Sequence, residues 1–332
     1  MTALGALGVT GSVILAPMAG ITDRPFRRLV RKFGIGLVVS EMVASREMLG
    51  GMASVRAKAE LDADDGLTAV QIAGREAYWM AEAAKLVAGQ GARIVDINMG
   101  CPAKKVTNGL SGSALMRDPD HALSLIEAVV AAVDVPVTLK MRLGWDRAVM
   151  TAPAIARRAA AAGVQAITIH GRTRCDFYKG HADWKAIGAV VDAVDVPVIA
   201  NGDITDAASA RSALSASGAA AVMIGRGARG LPWLPSQVMA ALESRAVPPA
   251  PSGAALVELI LSHHAAQLEH YGEALGLRTA RKHLGWYAEA LPGGSTLRKR
   301  LVRAENTQAV EAALHSWLDE TDGGQGLAKV AA

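Results

Sequence analysis

From Val13 to about Glu243, short apolar runs rich in β-branched residues alternate with Ala-rich stretches of helical length. The runs are Val13 to Ala16, Leu37 to Glu41, Leu67 to Gln71, Ile94 to Asn98, Val135 to Lys140, Ala166 to His170, Val196 to Asn201 and Ala219 to Ile224. Strands that alternate with helices pair in parallel, because each parallel neighbour needs a crossover. An open doubly wound sheet alternates in the same way, but eight units fill the length of a (β/α)8 barrel, about 250 residues, without a large insertion. The expected class is α/β: a TIM barrel over residues 1–243, followed by a small all-helical bundle. Pro248-Pro249-Ala250-Pro251-Ser252-Gly253 reads as part of a linker over 244–253, the bundle as 254–320, and the remainder, 321–332, as a loose tail.

An internal echo supports the barrel. Ala132 to Val137 and Ala193 to Val198 both read Ala-Val-Asp-Val-Pro-Val. A proline suits the start of a strand, where its missing N–H does least damage. Four residues on from each proline come Lys140 and Asn201, which puts both at one height and on one face. Gln71, Asn98 and His170 end other runs, and Gly225-Arg226 follows the last. In a barrel these strand tips converge on the mouth where active sites lie.

Composition narrows the setting. The 332 residues are 51% hydrophobic and 20% charged, and no apolar run approaches the ~18 residues of a membrane span. Met1 to Thr10 has no basic segment ahead of an apolar one, so no secretory signal is expected. Cys101 and Cys175 cannot build a disulfide framework, and free thiols in a reducing, cytoplasmic compartment are the expectation. A net charge of +4 is too small to identify a nucleic-acid binder by itself.

Local clusters carry more. Gly225-Arg226-Gly227-Ala228-Arg229-Gly230 fits G-x-G-x-x-G, but no further strand or acidic residue follows as a dinucleotide fold needs. A barrel phosphate site explains it better, with small residues admitting an anion to backbone N–H groups and Arg226 adding charge; Asn201-Gly202-Asp203 would complete that wall. Lys140 and Arg142 project cationic groups into the mouth, suited to an electron-rich ring, and Gln71 offers the donor and acceptor that a heterocycle edge requires. Cys101, in the irregular Asn98-Met99-Gly100-Cys101-Pro102 segment, is placed to act as a general acid. Cys175, among Arg172, Arg174 and Asp176, is taken as incidental. His263, His264 and His270 lack metal-ligand spacing and are expected to face solvent; no metal is expected. Arg278, Arg281, Lys282, Arg298, Lys299, Arg300 and Arg303 are opposed within their span only by Glu289, and could track the phosphates of a nucleic acid or simply form a solvated face.

The segments Leu15 to Arg27, Asp96 to Pro102, Lys140 to Trp145, His170 to Arg174, Asn201 to Ile204 and Met223 to Gly227, in that order, resemble the tRNA-dihydrouridine synthase family, and most closely its bacterial B-type branch. The resemblance spans nearly the whole chain. It implies FMN in the barrel mouth, NADPH as reductant and a D-loop uridine of tRNA as substrate, tRNA position 17 being the site the branch points to. By position, Pro17, Met18 and Ala19 would line the flavin, Gln71 and Lys140 contact its ring edge, and His170 sit near the ring or phosphate. Asn201, Gly202, Asp203, Gly225 and Arg226 would hold the phosphate side. Asn98 and Arg142 would contact the uracil, and Arg172, Arg278, Arg281 and Lys282 the tRNA. Hydride would add at C6 of the base and Cys101 would protonate C5. The competing readings are an FMN barrel oxidoreductase acting on a free small molecule, and a non-catalytic RNA-binding or regulatory protein on the same scaffold.

Overall fold

The computed structural model describes residues 4–61 and 66–321. Among them nine strands occur: β1 (Val13–Leu15), β2 (Leu37–Val39), β3 (Val43–Ala44), β4 (Thr68–Ala73), β5 (Ile94–Met99), β6 (Val137–Arg142), β7 (Ala166–His170), β8 (Val198–Asn201) and β9 (Ala221–Ile224). All pairings are parallel. β9 returns to β1, and β2 pairs with β4, so eight strands close into a barrel. β3 pairs with β4 farther along, as a continuation of β2 after a break at Ser40 to Met42. The run expected at Leu37 to Glu41 therefore stops at Val39, and strand resumes only beyond it, at Val43. At the break the buried Glu41 accepts from Gly20 N–H, tying the loop after β1 to this corner.

Side-chain parity divides each strand between two cores. Val95, Ile97, Leu139, Met141, Ile167 and Ile169 point outward into the layer between sheet and helices. Ile14, Leu37, Ala69, Ile94, Ala166, Ile199 and Ala221 fill the lower lumen, closed by Leu4, Leu7 and Val9. Two residues higher the lumen becomes polar: Gln71, Asp96, Thr138, Lys140, Thr168 and Asn201 are all buried. Lys140 lies opposite Thr168 and Thr168 opposite Ile199, so Asn201 is two positions further on in register. Gln71, opposite Asp96 and through it Thr138, is offset from Lys140 by the same amount. In a tilted barrel that stagger makes Gln71, Lys140 and Asn201 one layer from alternate strands.

Pro136 and Pro197 sit one residue before their strands. Their carbonyls still accept ladder bonds from Val95 and Ile167, each at 3.0 Å. Proline lacks only the donor, so this edge position uses what it retains.

Residues 245–252 form neither helix nor strand, and Gln237 fixes them through the Pro248 carbonyl at 2.9 Å. Four helices follow: Gly253–Tyr271, Glu273–Glu289, Gly294–Arg303 and Thr307–Glu320. They share a core of Leu256, Ile260, Leu284, Leu301, Leu314 and Trp317 that also takes in Leu29 of the Arg24–Arg31 helix and Trp233. The bundle thus packs against the first barrel helix. The tail expected over 321–332 lies, beyond Thr321, outside the described residues. No helix among the described residues is long and apolar enough to cross a membrane.

Gly276 lets the first two bundle helices touch: a Cβ there would stand 2.7 Å from the Gln267 carbonyl oxygen and 2.7 Å from Leu268 Cα. Backbone cannot yield as a side-chain tip can. Gly276→Val is expected to destabilise the protein by about 1–3 kcal/mol, read as a lower urea midpoint; an unchanged midpoint would show that the helices can separate freely.

Candidate active site at the barrel mouth

Above the polar layer opens a cavity of about 580 Å³. It is lined from the β1 loop by Pro17, Met18 and Ala19, from the β5 end by Asn98 and Cys101, and from β6 and β7 by Lys140, Arg142 and His170. Asn201, Gly202, Asp203, Gly225 and Arg226 close the opposite wall. Residues scattered over some two hundred positions of sequence thus meet at one rim.

Two of the expected site residues are near this cavity without lining it. Gln71 is 1% exposed and lies two residues inside β4 rather than at its tip. Its side chain is consumed by the lumen, donating to Asp96 at 2.6 Å and accepting from Asn98 Nδ2 at 2.7 Å. Arg172 is 2% exposed and holds Asp203 bidentately at 2.6 and 2.9 Å, while donating to the carbonyls of Lys179 and Gly180. Asp203 also accepts from Ala182 N–H at 2.8 Å and faces Arg226 at 3.6 Å. Its carboxylate braces the wall, leaving Gly202, Gly225 and Arg226 toward the cavity. Gly202 has φ +116°, and a Cβ there would press on Ala182 and His170.

The mouth is cationic, and its Lys140 and Arg142 are buried. Lys140 donates to Asn201 Oδ1 at 3.0 Å, and Asn201 in turn donates to the Met223 carbonyl at 2.8 Å. Burial, then the nearby Arg142, push the Lys140 ammonium down to about 8. His170 is driven well below the usual imidazole range, first by burial and then by Lys140 and Arg142, so it is neutral. Burial raises the Cys101 thiol above its ordinary value and keeps it protonated at neutral pH. Arg142 is lowered by burial but, fixed by the Gly100, Thr173 and Phe177 carbonyls at 2.7–2.8 Å, remains a rigid cation.

The strand pattern alone did not point to several contributors. Tyr178 stands over the cavity, 53% exposed, with Arg142 and Arg226 5.3 and 4.8 Å from its ring centre. An aromatic residue in the loop after the His170 strand, in a chain only 4% aromatic, was the available signal. Asp96 and Thr138 also belong to the site's foundation; polar residues within apolar strands, in step with Asn98 and Lys140, announce them.

The C-terminal cations divide. Lys282 Nζ comes within 3.4 Å of where a Cβ on Gly20 would be, and Trp286, one turn on, stacks with Arg229 of the cavity rim. Arg278 is exposed, whereas Arg281 turns inward to the Ala304 carbonyl at 3.1 Å. Arg298 pairs with Glu289, and Arg300 with Glu320 from the last helix, so the stretch is more neutralised than its own sequence indicates.

The expectation for the histidines fails at two positions. His263 and His264 are buried, not solvent-facing, and His270 is half-buried. The reason is a partner from the far end of the chain. Asp23, which caps the Arg24–Arg31 helix, accepts from Gln267 Nε2 at 3.0 Å and from Tyr271 at 3.1 Å, and that amide nitrogen also lies 3.3 Å from His263 Nε2. Tyr287 completes the group against His263 Nδ1 at 2.9 Å. Ligand atoms of Asp23, His263 and His283 come within 4.8 Å of one another, with the Gln267 amide hydrogen-bonded among them. Burial lowers His263 to about 3, so this junction is a neutral-imidazole network.

The fold and this mouth define a TIM-barrel protein with a cationic cavity at the C-terminal ends of its strands, beside a protonated thiol. Residues 14–321 match the dihydrouridine synthase (Dus) family. A probable tRNA-dihydrouridine synthase from Rhodobacter capsulatus is 62% identical over 320 residues, 96% of this chain and 98% of that protein. The tRNA-dihydrouridine synthase B of Pseudomonas putida is 45% identical over 331 residues, 98% of each. The chain belongs to the dihydrouridine synthase family of oxidoreductases. Among solved structures, a 2-naphthoyl-CoA reductase shares the fold at a TM-score of 0.55 and 13% identity, over 71% of this chain and 50% of that one. The chain spans about half the length of that structure, and the likeness shows the fold alone.

Proposed function

We propose that the protein is a tRNA-dihydrouridine synthase that binds FMN in the barrel mouth, draws reducing equivalents from NADPH and reduces the C5=C6 bond of a D-loop uridine. The observation that carries this is the meeting of Lys140, Asn201 and Cys101 on one cavity. The residues fit FMN. Lys140 is a buried cation facing open space, and an electron-rich ring would restore the stabilisation that desolvation removes. Gly202 and Gly225 supply a cradle without side chains; a Cβ on Gly225 would come 3.7 Å from both Ala16 and the Met18 sulfur. Arg226 supplies charge for a phosphate beside them. Pro17, Met18 and Ala19 would pack on the ring, neutral His170 would lie against it, and Asp203 would act by holding the phosphate wall in place.

When bound, FMN supplies the hydride that adds at C6 of the uracil. The chain's own residues do the rest. Asn98 gives one amide hydrogen to Gln71, leaving the other for the base edge. Arg142 is a fixed cation for the carbonyl toward which charge develops. Cys101 holds its proton at Sγ and delivers it to C5, and burial helps by keeping the thiol protonated until then. The base must leave its stack to enter, which costs a few kcal/mol and favours a uridine in an open loop. The bundle supports tRNA as partner, since Lys282 and Trp286 stand at the rim and Arg278 faces out beside them. We read residues 254–320 as the tRNA-binding unit on that ground, with Arg172 and Arg281 acting through the loops they brace.

Cys101→Ala is expected to retain flavin and NADPH oxidation while losing nearly all dihydrouridine formation on tRNA, measured by mass spectrometry of digested nucleosides; undiminished product would remove Cys101 from this role. Reversing the charge at Arg278 and Lys282 is expected to weaken tRNA binding and lower the slope of log K against log salt by about 1–2. An unchanged slope would place the RNA on another face.

A further inference from the structure

Beneath the cavity, one chain of hydrogen bonds links a buried carboxyl to the loop that carries Cys101. Thr138 Oγ1 donates to Asp96 Oδ1 at 2.6 Å, and Gln71 Nε2 donates to Asp96 Oδ2 at 2.6 Å. Gln71 Oε1 accepts from Asn98 Nδ2 at 2.7 Å. Asn98 Oδ1 accepts from the backbone N–H groups of Gly100 and Cys101, at 3.2 and 3.1 Å. We propose that Asp96 is a positioning residue for Cys101, acting through the relay of the Gln71 and Asn98 amides.

The polarity of the relay is fixed at its loop end. Backbone N–H groups can only donate, so Asn98 must turn its oxygen to the loop and its NH2 to Gln71. Gln71 must then present oxygen to Asn98 and NH2 to position 96. That position must accept, and a carboxyl can do so whether or not it carries a proton, since Thr138 can donate or accept on the other side. Asp96 is 3% exposed and does not line the cavity, so it acts on the site only through its neighbours. An apolar residue there would leave the Gln71 NH2 without its acceptor inside the lumen. Gln71 would then be free to swing out of place, and Asn98, its oxygen still turned to the Gly100 and Cys101 N–H groups, would lose the acceptor that fixes its NH2. The far side of the loop is already held, with the Gly100 carbonyl on Arg142 and the Cys101 carbonyl on Ser113, each at 2.8 Å. The relay therefore supplies the grip on the loop's N–H side, without which the thiol loses its fixed direction.

This rests on the proposed role of Cys101, and the test separates the two. In FMN-loaded protein carrying Cys175→Ser, which removes the other, exposed thiol, iodoacetamide labelling of Cys101 and single-turnover reduction of tRNA uridine are compared for Asp96, Asp96→Leu, Asp96→Asn and Gln71→Leu. Asp96→Leu is expected to change the labelling rate by about fivefold or more, and to slow turnover by about tenfold or more with KM for tRNA within about twofold. Asp96→Asn keeps an oxygen acceptor and is expected to recover most of both. Gln71→Leu cuts the next link and is expected to reproduce the defect even where Asp96→Leu fails to fold. Labelling and turnover that are unaltered in both leucine variants would overturn the relay, as would Asp96→Asn being as impaired as Asp96→Leu. If the parent protein reduces no tRNA uridine, the proposed function fails, while the labelling arm still decides whether Asp96 sets the thiol.

Discussion

The upper lumen of the barrel is polar, and no polar group there can be left without a partner. An unmatched buried donor or acceptor costs about 1–3 kcal/mol, more for a charge. Below this level Ile94, Ala69 and Ile199 close the lumen as an ordinary apolar core; above it Gln71, Asp96, Asn98, Thr138, Lys140 and Asn201 must satisfy one another or a ligand. They solve the problem in two halves. One half, from Thr138 to Asn98, closes on itself and on the Cys101 loop. The other, Lys140 on Asn201 on the Met223 carbonyl, leaves an ammonium facing the cavity.

That division assigns the work of the mouth. The self-satisfied half is rigid and aims side chains, whereas the open half awaits a charge or a ring. At neutral pH the lumen carries charge that folding alone disfavours. Asp96, raised to about 6 by burial, contributes stability that is complete below its unfolded value of 3.8 and is lost as pH rises through 6. Lys140, lowered to about 8, contributes stability present above its unfolded value of 10.5 and lost as pH falls through 8. Between the two, both groups are charged at a cost, and a bound anionic ring would offset the part that belongs to Lys140. Strongly shifted groups gathered in one cleft mark a functional site more often than a structural one.

Much of this was legible in order of residues alone. The repeated Ala-Val-Asp-Val-Pro-Val segment placed Lys140 and Asn201 in one layer because parity and barrel stagger are regular. Cys101 stood out because glycine and proline make its loop irregular. Gln71 reads as a tip because the apolar run stops there, yet β4 continues to Ala73, and the side chain is spent on Asp96 and Asn98, partners that the run does not announce. The break in β2 was hidden because Ser40 and Glu41 extend a run whose pairing resumes at Val43. His263 was misread as solvent-facing because Gln267, its neighbour in the network, bonds to an aspartate 244 positions away. Local spacing carries no record of such a partner, and resemblance to a family supplies roles without the packing that supports them.

The most direct test is a crystal structure of the protein reconstituted with FMN and bound to its tRNA. The phosphate of the coenzyme is expected against Gly202, Gly225 and Arg226, its ring edge on Lys140, and the Cys101 sulfur across the flipped uracil from that ring. A flavin held in any other cavity, or a Cys101 side chain turned away from the base, would contradict the reading of this mouth as a single site.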